Sequence, residues 1–82
     1  MTNYIALNNH TVYRRNIKNA NGNRLRKDKL ILTGETFRFI ERFESTCMAT
    51  HGASCLKLSD SAGNILIDYE KYYTKQEIQH DR

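Results

Sequence analysis

The run Lys29–Glu44, KLILTGETFRFIERFE, is the densest apolar stretch of the chain and contains every phenylalanine in it. Thr33-Gly34-Glu35 interrupts it, with Leu30, Ile31 and Leu32 before the break and Phe37, Phe39, Ile40 and Phe43 after it. Any core must form around these residues, because no other segment offers comparable apolar area. Eighty-two residues support one domain, 1–82, since a second core would bury too little surface to offset its ordering entropy.

The second half of the run reads in two ways. As a strand, 36–44 places Phe37, Phe39 and Phe43 on one face and Arg38, Arg42 and Glu44 on the other. Glu41 and Ile40 are then out of place. As a helix over about 36–51, Phe37, Phe39, Ile40, Phe43, Cys47 and Met48 cover half the wheel, and Gly52 is the C′ residue. Periodicity slightly favours the helix, whereas the Thr, Phe and Ile near the start favour the strand.

Elsewhere the punctuation is plainer. Asn3–Leu7 suits a first strand, with Asn8-Asn9-His10 as a turn after it. Asn21-Gly22 is the dipeptide that most readily adopts a tight hairpin turn, so 14–29 is expected to be a long exposed hairpin or loop, mobile at its tip. Cys55–Leu58 and Ile65–Tyr69 flank a polar turn with Gly63 and read as a second hairpin. Tyr69, Tyr72 and Tyr73 suit one helical turn that closes the fold, and 75–82 is polar enough to fray.

Charge is unevenly divided. Residues 1–42 hold nine Lys/Arg against three acids, whereas residues 43–82 hold four against six. The excess is concentrated in Arg14, Arg15, Lys18, Arg24, Arg26, Lys27 and Lys29, seven cations against Asp28 alone in sixteen residues. On a two-stranded ribbon such a set neutralises a phosphate backbone, with Asn16, Asn19, Asn21 and Asn23 as further hydrogen-bond donors. Tyr13 is placed to stack on an exposed base. The same charges also suit an acidic protein surface, or a solvated loop that keeps the protein dissolved.

Other chemistries find little support. Cys47, His51 and Cys55 are spaced C-x3-H-x3-C and would share a helix face, which suits zinc. Three ligands fall short of a structural site, and Gly52 interrupts the helix that aligns them, so no metal or other cofactor is expected. Asp60 and Ser61 are turn residues, Asp68 is isolated from them, and no nucleophile–base–orienter set or Gly-rich phosphate loop stands out. An enzyme is not expected. The first residues lack the basic start and apolar run of a signal peptide, and the longest wholly aliphatic runs are three residues, against the roughly 20 that cross a bilayer. Two cysteines fit reduced thiols, so the expected setting is cytoplasmic, with no membrane or small-molecule partner.

The order NYIAL, a long polar loop, LILTGETFRFIE, a variable segment, CLKLSDSAGNILI and DYEKYYT resembles an SH3-like β-barrel over roughly residues 3–74. The resemblance implies a mostly β fold in which 14–29 is the RT-type hairpin, Gly34-Glu35 the diverging turn, and a short 3₁₀ turn follows the distal hairpin. A helix at about 36–51 would give instead an α+β fold, packed on antiparallel hairpins. Peptide-binding members carry ALYDY where this chain has Ala6-Leu7-Asn8-Asn9-His10, and they build their groove with a Trp that this chain lacks. The resemblance therefore implies the scaffold rather than Pro-rich peptide recognition. The expected function is a small non-enzymatic binding module that engages nucleic acid, or a nucleic-acid-handling complex, through Tyr13, Arg14, Arg15, Lys18, Arg24, Arg26, Lys27 and Lys29. The short Asn-rich chain also resembles, in style, the accessory proteins of large bacteriophages. That implies the alternative of docking on a host protein to inhibit or redirect it.

Overall fold

The computed structural model describes residues 2–77, which are mostly β. Eight strands follow in chain order: β1 (Thr2–Ala6), β2 (His10–Val12), β3 (Ile17–Lys18), β4 (Lys29–Ile31), β5 (Thr36–Glu44), β6 (Ser54–Ser59), β7 (Ile65–Tyr69) and β8 (Tyr73–Glu77). The described helices are three-residue 3₁₀ turns at Arg14–Asn16, Met48–Thr50 and Glu70–Tyr72. Six strands form one sheet in the order β3-β7-β6-β5-β1-β8, and β2 pairs with β4 in a separate two-stranded ribbon. Every paired neighbour is antiparallel. No helix of the described residues is long and apolar enough to cross a membrane.

The strand reading of Thr36–Glu44 holds, and the helix over 36–51 does not form. A β-bulge explains why the two were hard to separate. The ladder to β6 shifts register between Phe39 and Glu41, so Phe39 faces Leu58 whereas Phe43 faces Cys55. Those two partners are an odd number of residues apart, so Phe43 lies on the opposite face from Phe37 and Phe39. Unbroken alternation placed all three phenylalanines on one face, and the bulge corrects that expectation for Phe43. Apolar residues at 37, 39, 40 and 43 thus imitate a helical period because one extra residue resets the strand.

The core is built from alternating positions of nearly every strand: Tyr4, Ala6, Val12, Ile17, Ile31, Phe37, Leu56, Leu58, Leu66 and Tyr73, with Leu25, Phe39 and Tyr72 packed at its margin. Period-two geometry splits the aliphatic triplet at 30–32. Ile31 is fully buried, while Leu30 and Leu32 are 59% and 49% exposed. The break after them is fastened locally. Gly34, at φ 89°, donates its N–H to the Ala6 carbonyl at 2.8 Å. Glu35 Oε1 accepts the Leu32 N–H at 2.7 Å, and Asn9 Oδ1 accepts both the N–H and the hydroxyl of Thr33.

Residues 14–29 are not one continuous ribbon. Ile17 is fully buried, and β3 joins the edge of the main sheet opposite Leu66 and Ile65, while its other side pairs with the returning arm through the Lys18–Arg24 bridge and the Leu25 N–H to Ile17 carbonyl bond. At its tip, Gly22 N–H bonds the Asn19 carbonyl and Asn19 N–H bonds the Asn23 carbonyl, with Gly22 alone at positive φ. This is a three-residue loop with a glycine bulge rather than a two-residue turn at Asn21-Gly22. The tip lies close to the 60–64 turn, since a Cβ built on Gly63 would sit 3.4 Å from Ala20 Cβ. At the other end of the chain, Lys75–Glu77 is ordered strand paired with Thr2–Tyr4, which corrects the expectation that fraying begins at 75. Residues 78–82 of that expected tail lie outside the described residues.

Candidate functional site

The predicted binding residues separate into three groups. Arg14, Arg15, Arg26 and Lys27 line one recess of about 620 Å³ together with Tyr13 and Asp28. The 3₁₀ turn at Arg14–Asn16 brings two of the cations there, and the returning arm 26–28 brings the others. Asp28 also fixes the backbone at the mouth of the recess. Its Oδ1 accepts the Arg14 backbone N–H at 2.9 Å, and the Arg14 guanidinium reaches the Arg26 carbonyl at 3.4 Å. Lys18 and Arg24 face each other across the isolated bridge nearer the tip. Lys29 is diverted to a structural task, with its Nζ 3.3 Å from Asp60 Oδ2 on the β6–β7 turn.

Beside the recess runs a second cavity of about 470 Å³ that shares Tyr13 and Arg15 with it. Its walls carry Phe43, Tyr69 and Tyr72, and the 47–50 segment forms one rim. The bulge in β5 is what delivers Phe43 here, because its cross-strand partner Cys55 in turn faces Tyr69. Cations sit against the rings: the Arg15 guanidinium carbon is 5.2 Å from the Tyr13 centroid, and Lys71 Nζ lies 5.6 and 5.4 Å from those of Tyr69 and Tyr72. Tyr13 is 57% exposed, so its ring is presented rather than packed. A larger depression of about 840 Å³ lies between 48–54 and 69–71, but of the nominated binding residues none lines it.

The cleft holds both cysteines. Cys47 is exposed, and hydrogen bonds from the Ala49 backbone and the Thr50 side chain hold its thiol pKa below the ordinary value. Burial, with the nearby Asp68 charge, pushes the Cys55 thiol up. Cys47, His51 and Cys55 are not aligned by a helix. Among the described residues no group of three or more His, Cys, Asp or Glu side chains could hold a metal ion.

Sequence reasoning missed a buried polar knot whose central carboxylate, Asp68, is itself part of the cleft wall. Asp68 Oδ2 lies 2.5 Å from His10 Nε2 and accepts the Tyr73 hydroxyl at 2.5 Å, while its Oδ1 accepts the Tyr69 N–H. His10 Nδ1 donates to the Asn8 carbonyl at 3.0 Å, and the imidazole stacks on Tyr72 with centroids 4.3 Å apart. This knot fastens the β2–β4 ribbon, and with it the cationic recess, to β7 and β8. Asp68 and His10 are 58 residues apart in sequence, so spacing carries no signal of their pairing.

Burial, then the hydrogen bond to Asp68 and its charge, raise the Tyr73 pKa well above the ordinary tyrosine value. The unfolded chain loses that proton near pH 10, whereas the folded protein keeps it. The folded state therefore binds more protons, and stability falls as pH rises beyond about 10, by up to ~1.4 kcal/mol per pH unit. Urea unfolding between about pH 9 and 11 is expected to show this decline, with Tyr73→Phe flattening it. Equal slopes in the two proteins would contradict the assignment.

A scan against protein-family models matches none, and searches of the curated proteins and of the solved structures likewise give no match.

Proposed function

We propose that the protein is a small, non-enzymatic binding module of SH3-like type that engages nucleic acid, alone or within a nucleic-acid-handling complex, through the recess around Tyr13. The strand order supports the scaffold reading. β1 lies between β5 and β8, β5–β6–β7 form a meander, the β2–β4 ribbon folds apart from the main sheet, and a 3₁₀ turn precedes β8. The observation that carries the functional reading is the convergence of Arg14, Arg15, Arg26 and Lys27 on one concave surface with a single acid. Guanidinium groups suit phosphate oxygens geometrically as well as by charge.

Fluorescence anisotropy with labelled single- and double-stranded probes tests this. Binding at about 50 mM salt is expected to weaken steeply by about 200 mM, because neutralising phosphates releases counterions. Absence of binding to every probe, or an affinity indifferent to salt, would remove the proposal. A second reading is docking on a host protein, in the manner of a bacteriophage accessory protein. It draws on Leu7, Leu30 and Leu32, which are all about half exposed. A stoichiometric protein captured from nuclease-treated bacterial lysate, with no affinity for either probe, would favour it.

A further inference from the structure

Resting on that reading, we propose that the strand engaged is single and that one unstacked base enters the aromatic cleft beside Tyr13. The two cavities adjoin: Tyr13 and Arg15 form a wall of both, with cations on one side and the rings of Phe43, Tyr69 and Tyr72 on the other. A polyanion whose repeating unit also carries a flat aromatic group satisfies both cavities at once. A purely anionic partner fills only the recess, and an apolar one only the cleft. Every base has a π-face, so an arrangement of this kind is tolerant of sequence. The cleft is walled on more than one side, which suits an inserted ring. Paired bases are held inside a duplex stack and present only their edges.

The scaffold points the same way. The described helices are single 3₁₀ turns, and the β2–β4 ribbon has three residue pairs, so neither supplies the long helix or ribbon that reads a major groove.

The test uses the full chain and three labelled probes of about twelve nucleotides: oligothymidylate, a strand of equal length and charge with abasic sites, and a duplex. Oligothymidylate is expected to bind about 5- to 100-fold more tightly than the abasic strand. Tyr13→Ala is expected to abolish that difference and Tyr13→Phe to preserve it. Because Tyr13 is largely exposed, neither change disturbs the core. Two signals report the cleft directly. Intrinsic emission comes from tyrosine alone, since the chain has no Trp, and is expected to be quenched by oligothymidylate. Alkylation of the exposed Cys47 at the rim is expected to slow in its presence. Equal affinity for thymidylate and abasic strands, tighter binding of the duplex, or a Tyr13→Ala protein that keeps the full preference would overturn this inference while leaving backbone binding in place. Failure to bind any of the three probes would overturn both.

Discussion

Asp68→Ala is expected to destabilise the protein by about 2–5 kcal/mol, because it leaves the Tyr73 hydroxyl without its acceptor and the His10 imidazole without its partner inside the fold. A domain of this length has a total stability of about 4–12 kcal/mol, so the variant should lie near the edge of unfolding at room temperature. Asp68→Asn keeps the shape and one acceptor oxygen, and should cost less, about 1–3 kcal/mol. The double change Asp68→Leu with Tyr73→Phe removes donor and acceptor together and should recover part of the single-variant loss. Urea unfolding followed by circular dichroism measures all three. A loss below about 1 kcal/mol for Asp68→Ala would show that the knot does not hold the ribbon to the sheet.

Neutralising the recess is expected to have the largest effect on binding. Arg14, Arg15, Arg26 and Lys27 changed together to Gln should lower affinity for a single-stranded probe by more than about 100-fold at low salt. The fold should be unaffected, since all four residues are exposed. Lys29→Gln should behave in the opposite manner. It breaks the contact with Asp60, whose carboxylate is otherwise held by Asn64 and the Ala62 N–H, so it should reduce stability and leave binding nearly intact. That contrast separates a site from a charged segment. If the seven cations of 14–29 act only through their summed charge, Lys29→Gln should weaken binding as much as any single recess variant.

Local chemistry made part of this legible from sequence. The hairpin across 54–69, the glycine at the break after Leu32 and the 3₁₀ turn before Tyr73 are each set by residues within a few positions of one another. What escaped depends on contacts between distant segments. The bulge at Ile40 relocates Phe43 from the expected phenylalanine face to the cleft, and nothing in 36–44 marks where the extra residue falls. Lys29 looked equivalent to its basic neighbours until Asp60, 31 residues on, proved to be its partner. His10 and Asp68 read as a turn residue and an isolated acid, although together with Tyr73 they form the polar centre of the fold. The cation-rich stretch was visible, but not the selection of four of its members around Tyr13, which depends on the 3₁₀ turn at Arg14–Asn16 meeting the 26–28 arm.

The salt dependence of binding to a single-stranded probe, measured side by side for the natural chain and the four-cation variant, bears most directly on the recess. If four side chains neutralise phosphates there, log K against log salt should fall with a slope of about −3 for the natural chain and lie near zero for the variant. Parallel lines of equal slope would place the phosphate contacts elsewhere on the molecule and contradict the assignment.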